Sequence, residues 1–111
     1  FMHRLAISGG KYLRHKPAAV VTSARRAGTT SAFDDINKFF TIKEMPVVSS
    51  RYWNNVHGNV AEETEQDAEG LWTMRQLGRN MAWLLKCIEA GRAAGIEAPA
   101  REAGQATNFI R

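Results

Sequence analysis

Pro17-Ala18-Ala19-Val20-Val21-Thr22-Ser23 and Met45-Pro46-Val47-Val48-Ser49-Ser50 are the two short apolar runs on which the fold turns. Each opens around a proline, carries paired valines and closes on hydroxyl residues, the look of an interior strand buried on both faces. The stretch between them reads as a helix. Thr30-Ser31 offers a cap, and Asp34 and Asp35 follow where carboxylates complement the helix dipole. Phe33, Ile36, Phe39 and Phe40 recur at spacings of three and four, which predicts a helix to about Phe40 with one apolar side. Strand, helix and strand occupy about 33 residues, the size of a βαβ unit with parallel strands and a right-handed crossover.

Upstream, Phe1, Met2 and Leu5 share a helical face and Gly9-Gly10 reads as its stop. The chain opens on Phe1 inside that helix, without a cap or an initiator Met, so further sequence is expected to precede it. Downstream lies a loop rich in Tyr52, Trp53, Asn54, Asn55, His57, Gly58 and Asn59. A long helix is predicted to start near Ala61 to Thr64 and end near Gly91, with Leu71, Met74, Leu77, Met81, Leu84, Leu85 and Ile88 at helical spacing. The tail from 91 to 111 is expected to be irregular and pinned by Phe109 and Ile110. Two parallel strands with three helices fall short of a doubly wound sheet. The missing strands are expected from sequence before residue 1, with another chain as the other source.

With 44 % hydrophobic and 23 % charged residues the composition is that of an ordinary globular protein. The net charge of +4 is spread along the chain, and its densest clusters are Arg14-His15-Lys16 and Arg25-Arg26. A nucleic-acid partner would call for clustered charge with interleaved aromatics, so none is expected, and a small anionic ligand suits a local Arg pair better. The single cysteine, Cys87, allows neither a disulfide framework nor a cysteine metal site within one chain, and it reads as a small buried hydrophobe in a reducing, cytoplasmic compartment. No apolar run approaches the ~18 residues of a membrane span, and no membrane partner is expected.

Three stretches carry a resemblance: Leu-Arg-His-Lys-Pro-Ala-Ala-Val-Val-Thr-Ser-Ala-Arg-Arg-Ala-Gly-Thr-Thr at 13–30, Met-Pro-Val-Val-Ser-Ser at 45–50 and Tyr-Trp-Asn-Asn-Val-His-Gly at 52–58. With the helix from Asp67 to Cys87 and the closing Thr-Asn-Phe-Ile-Arg, residues 1–111 resemble the C-terminal half of flavodoxin-like FMN proteins, more closely the NADPH-dependent FMN reductase and iron-sulfur flavoprotein group. The resemblance implies an α/β fold, the C-terminal part of a flavodoxin-like three-layer α/β/α domain with a parallel sheet. It implies FMN as cofactor, NAD(P)H as co-substrate, a quinone, free flavin or other small-molecule acceptor, and assembly into homo-oligomers, dimers or tetramers. The family's phosphate loop and its Ser-Pro-x-Tyr type turn are expected before residue 1.

The same resemblance implies that Thr22, Ser23, Ala24, Arg25, Arg26, Ala27, Gly28, Thr29 and Thr30 border the flavin, at the carboxyl end of a strand where open α/β sheets bind ligands. Gly28 would admit backbone close to a planar ring, hydroxyl and N–H groups would bond the pyrimidine oxygens, and an Arg near N1 would tune the cofactor's electronics. Taken without it, the segment reads as a polar loop with solvated arginines. Tyr52 and Trp53 stand either as rings stacking on flavin or narrowing a nicotinamide or quinone pocket, or as packing over the sheet end or a neighbouring subunit. Asn54 and Asn55 could orient a ligand. His57 reads as a surface-loop histidine, and His3 and His15 as exposed. No catalytic residue is named, because the cofactor would perform the chemistry, and no metal-ligand spacing is present. A flavodoxin-like electron carrier and a non-catalytic interaction subunit using an open sheet edge are the alternatives.

Overall fold

A computed structural model describes residues 1–110. Its elements are α1 (Met2–Leu13), β1 (Thr22–Ala24), α2 (Thr29–Ile42), β2 (Asn55–His57), α3 (Ala61–Thr64) and α4 (Ala68–Ala93). β1 and β2 pair in parallel, with Thr22 level with Asn55, Ser23 with Val56 and Ala24 with His57. The chain is therefore mixed α/β with a parallel pair, but the second strand is not where the valines stand. Val47 forms only a parallel bridge to Ala18, supported by the Ala18 N–H to the Pro46 carbonyl and the Val48 N–H to the Ala18 carbonyl at 3.0 and 2.8 Å.

Between the two pairings the first run advances from Ala18 to Thr22 while its partner advances from Val47 to Asn55, so the second run makes an excursion of four extra residues. Ser50 closes it. Its hydroxyl donates to the Tyr52 carbonyl at 2.7 Å and accepts the Tyr52 N–H at 3.2 Å, the local side-chain bonding by which serine diverts backbone from a ladder. The expected loop at 55–57 is thus the strand, and the expected strand at 45–50 is its interrupted approach.

Burial on both faces is also corrected. Val20 is 4 % exposed and its neighbour Val21 is 56 % exposed. α2 packs on β1, α4 on β2 and α1 against α2. Among the described residues the buried apolar ones are only Ala6, Val20, Val48, Val56 and Leu77. The chain presents 8786 Å² of accessible surface, against about 6100 Å² for a compact monomer of its mass. Its radius of gyration is 17.3 Å, against about 13 Å for a compact domain of this length.

Several boundaries move for identifiable reasons. α1 runs through Gly9-Gly10 to Leu13, and Gly10 is a contact position: a Cβ there would stand 3.1 Å from the Lys43 side chain. The helix stops where His15 turns left-handed (φ 63°) ahead of Pro17. α2 begins after Gly28 (φ 92°) rather than on a Thr30-Ser31 cap, and runs to Ile42. α4 is capped at Asp67, separate from the short turn α3, and continues past Gly91 to Ala93. Cys87 is exposed, His15 is half-buried, and the tail is not pinned, since Phe109 and Ile110 are 90 % and 88 % exposed.

Candidate functional site

At the carboxyl end of the sheet β1 gives way to the segment read as flavin-facing. Thr22 is half-buried, its hydroxyl donating to Asn55 Oδ1 at 2.7 Å. Ser23 is exposed and Ala24 half-buried, its carbonyl accepting the Gly58 N–H at 3.3 Å. Arg25, Arg26, Ala27 and Gly28 are exposed, Thr29 is buried and Thr30 is exposed. Gly28 is the N-cap of α2 in left-handed backbone, and a Cβ there would meet nothing within 4 Å. Its glycine thus answers to backbone conformation rather than crowding. No side chain caps α2. The first-turn N–H groups, with the partial positive charge of a helix N-terminus, open beside two arginines.

Tyr52 and Trp53 precede β2 in the chain instead of following a strand, as part of the excursion, their rings tilted at 58° with centroids 4.6 Å apart and both exposed. A cavity of about 90 Å³ beside them is lined by Asn55, His57, Asp67 and Thr73 among others, and by none of residues 22–30. Ligand pockets of drug-sized molecules start at about 300 Å³, and this cavity alone is smaller than that. Asn54 is 2 % exposed, and its Nδ2 donates to the Val20 carbonyl at 2.8 Å. That bond commits the amide nitrogen to the sheet, while the buried Oδ1 has no hydrogen-bond partner among the described residues.

Sequence reasoning passed over Asp67. Its Oδ1 accepts the Gly70 N–H at 2.9 Å, capping α4, while its Oδ2 accepts the His57 N–H at 2.8 Å, tying β2 to that helix. The Gly70 and then the His57 backbone bonds hold its carboxyl below the usual aspartate value. His57 Nδ1 lies 3.9 Å from the same oxygen. Gly70 permits the latch: a Cβ there would stand 2.4 Å from Asp67 Oδ2 and 3.1 Å from the Asn55 carbonyl. The signal was present as an aspartate directly before the apolar periodic run, the position of an N-cap. Arg51 lies over the Trp72 ring at 3.8 Å, so one aromatic on this side is already covered by a cation.

No protein-family model matches the chain, and neither a curated protein nor a solved structure matches it. Among the described residues no helix is long and apolar enough to cross a membrane, and no cluster of three or more His, Cys, Asp or Glu could hold a metal ion. Chemically, residues 22–30 offer hydroxyls, free N–H groups and two guanidiniums on an open surface. That set suits the oxygen-rich edge of a planar or anionic ligand.

Proposed function

We propose that the chain forms part of a flavodoxin-like FMN-dependent oxidoreductase, passing electrons from NAD(P)H through flavin to a quinone, free flavin or other small acceptor. The observation that carries this reading is the carboxyl end of β1, where the uncapped N-terminus of α2 opens beside Arg25 and Arg26 after a left-handed Gly28. Bound FMN would supply the chemistry, accepting hydride and passing electrons on. Thr22, Ser23 and the N–H groups of Thr29 and Thr30 would orient its pyrimidine edge. Arg25 and Arg26, with the helix dipole, would offset negative charge gathering there. Tyr52 and Trp53 would serve the acceptor side, since the cavity they line includes none of residues 22–30. A dimer or tetramer would cover surface that the single chain leaves exposed.

The test is an FMN titration of the chain, read by flavin fluorescence and by the visible spectrum. Quenching with structured bound-flavin bands is expected, weakened by roughly a factor of ten in Arg25→Gln/Arg26→Gln, the loss of hydrogen bonds to a charged group being about 1.5–3 kcal/mol. A colourless protein with unquenched FMN sinks the reading for this chain. Consumption of NADPH with a quinone then separates a reductase from an electron carrier.

A further inference from the structure

We propose that the cleft between the C-terminal turns of α1 and α2 binds a small multivalent anion, a pyrophosphate or triphosphate group. A cavity of about 390 Å³ is lined there by Lys11, Arg14, Lys43, Arg101 and Glu44, with Ile7 and Ile42 as apolar wall. Four cations face one carboxylate, a local excess of three in a chain whose whole formal charge is +4. The carboxylate is already engaged: Glu44 Oε2 accepts from Arg14 Nε, and its Oε1 lies 3.5 Å from Arg101 Nε. It braces two arginines across the cleft and leaves the lysines alone. Lys11 and Lys43 have no acidic partner within 4.0 Å among the described residues.

Basic residues at helix C-termini ordinarily answer the macrodipole, about half a negative charge per helix end. Two such ends call for about one positive charge. After Glu44 and both dipoles are counted, about two positive charges remain without an anionic partner, Lys11 lying over the Tyr12 ring at 4.8 Å. The backbone around them is held in place: His15 and Glu44 both adopt left-handed conformations, φ 63° and 56°, joined by the His15 N–H to the Glu44 carbonyl at 3.1 Å. Non-glycine residues persist in that region where surrounding structure fixes them, commonly at ligand clamps. Gly10 leaves room for the Lys43 side chain to lie against α1 beside the cleft, a Cβ there standing 3.1 Å from Lys43 Nζ. Arginine forks and lysine point charges from three segments suit the oxygens of a polyphosphate. The cleft is at the amino end of the sheet, away from residues 22–30, so it does not depend on the flavin reading.

Isothermal titration of the chain with inorganic pyrophosphate at about 0.15 M salt, where surface attraction is screened within about 8 Å, tests this directly. Saturable binding of one anion per chain is expected, weakened about tenfold or more in Lys11→Gln/Lys43→Gln and unchanged in Arg25→Gln/Arg26→Gln. Matching far-UV circular dichroism establishes that both variants are folded. Failure of the native chain to bind, equal binding by the lysine variant, or loss only in the Arg25/Arg26 variant would each overturn the proposal. The last of these would place the anion at the N-terminus of α2.

Discussion

The two halves of α4 share one apolar rhythm, yet only the first reaches full burial. Gly70, Thr73 and Leu77 are buried, whereas Trp83 is 68 % and Leu85 49 % exposed and Cys87 is open to solvent. The cause is geometric. Twenty-six residues of helix span about 39 Å at 1.5 Å each, while β2 has three residues and covers about 10 Å at 3.3 Å each. α4 outruns the sheet it packs on. Periodicity thus specifies a face that can be buried, and what stands opposite decides whether it is.

Truncating one leucine in each half gives the largest expected contrast. Leu77→Ala should lower unfolding stability by about 2–5 kcal/mol, the loss for a buried aliphatic side chain that leaves a cavity. Leu85→Ala should stay within about 0.5 kcal/mol, as surface changes do. Urea midpoints of the two variants measure this, and similar losses would mean that the second half is covered in solution.

Next in size is Gly70→Ala. The added methyl would gain helix propensity of up to about 1 kcal/mol, but it would displace the Asp67 carboxylate from its cap and crowd the Asn55 carbonyl, neither of which can give without breaking the tie between β2 and α4. Overpacking of about 1–3 kcal/mol should win. A variant as stable as the parent would show that the latch carries little.

Asp67→Asn probes that latch by pH. The folded carboxyl is held below its usual value by the Gly70 and His57 N–H groups, so its contribution is present above the unfolded value, near pH 4, and is lost as pH falls through the folded one. The variant keeps one oxygen for the Gly70 N–H but none for the His57 N–H, so it should lose about 1 kcal/mol near neutral pH and show a shallower fall in stability below about pH 4. Parallel pH profiles for the two proteins would remove Asp67 from the account.

These outcomes bear on residues whose roles were unequally legible. The helix under Phe33, Ile36, Phe39 and Phe40 and the parallel character of the pair followed from spacing alone, because periodicity and a 33-residue βαβ span are properties of the chain itself. The second strand did not. Asn55-Val56-His57 has one apolar residue, and its pairing depends on a serine turn upstream and an aspartate ten residues downstream of His57, both non-local to the strand. At the candidate site, the loop after β1 was placed at the strand's carboxyl end by order of elements. That Tyr52 and Trp53 precede the second strand follows from the four-residue excursion, which no local pattern announces.

The smallest expected effect has the opposite sign. Gly78 lies one residue beyond Leu77, exposed, and a Cβ there would meet nothing within 4 Å. It sits inside a regular helix, where glycine costs about 0.5–1 kcal/mol relative to alanine, partly through the freedom it gives the unfolded chain. Gly78→Ala should therefore raise the urea midpoint by an amount equivalent to about 0.5–1 kcal/mol with an unchanged slope, while the same substitution at Gly70 lowers it. Were Gly78→Ala destabilising instead, the methyl would have to meet something that the chain's own described residues do not supply. The outer side of α4 would then be an interface, and its second half would be incomplete rather than solvated.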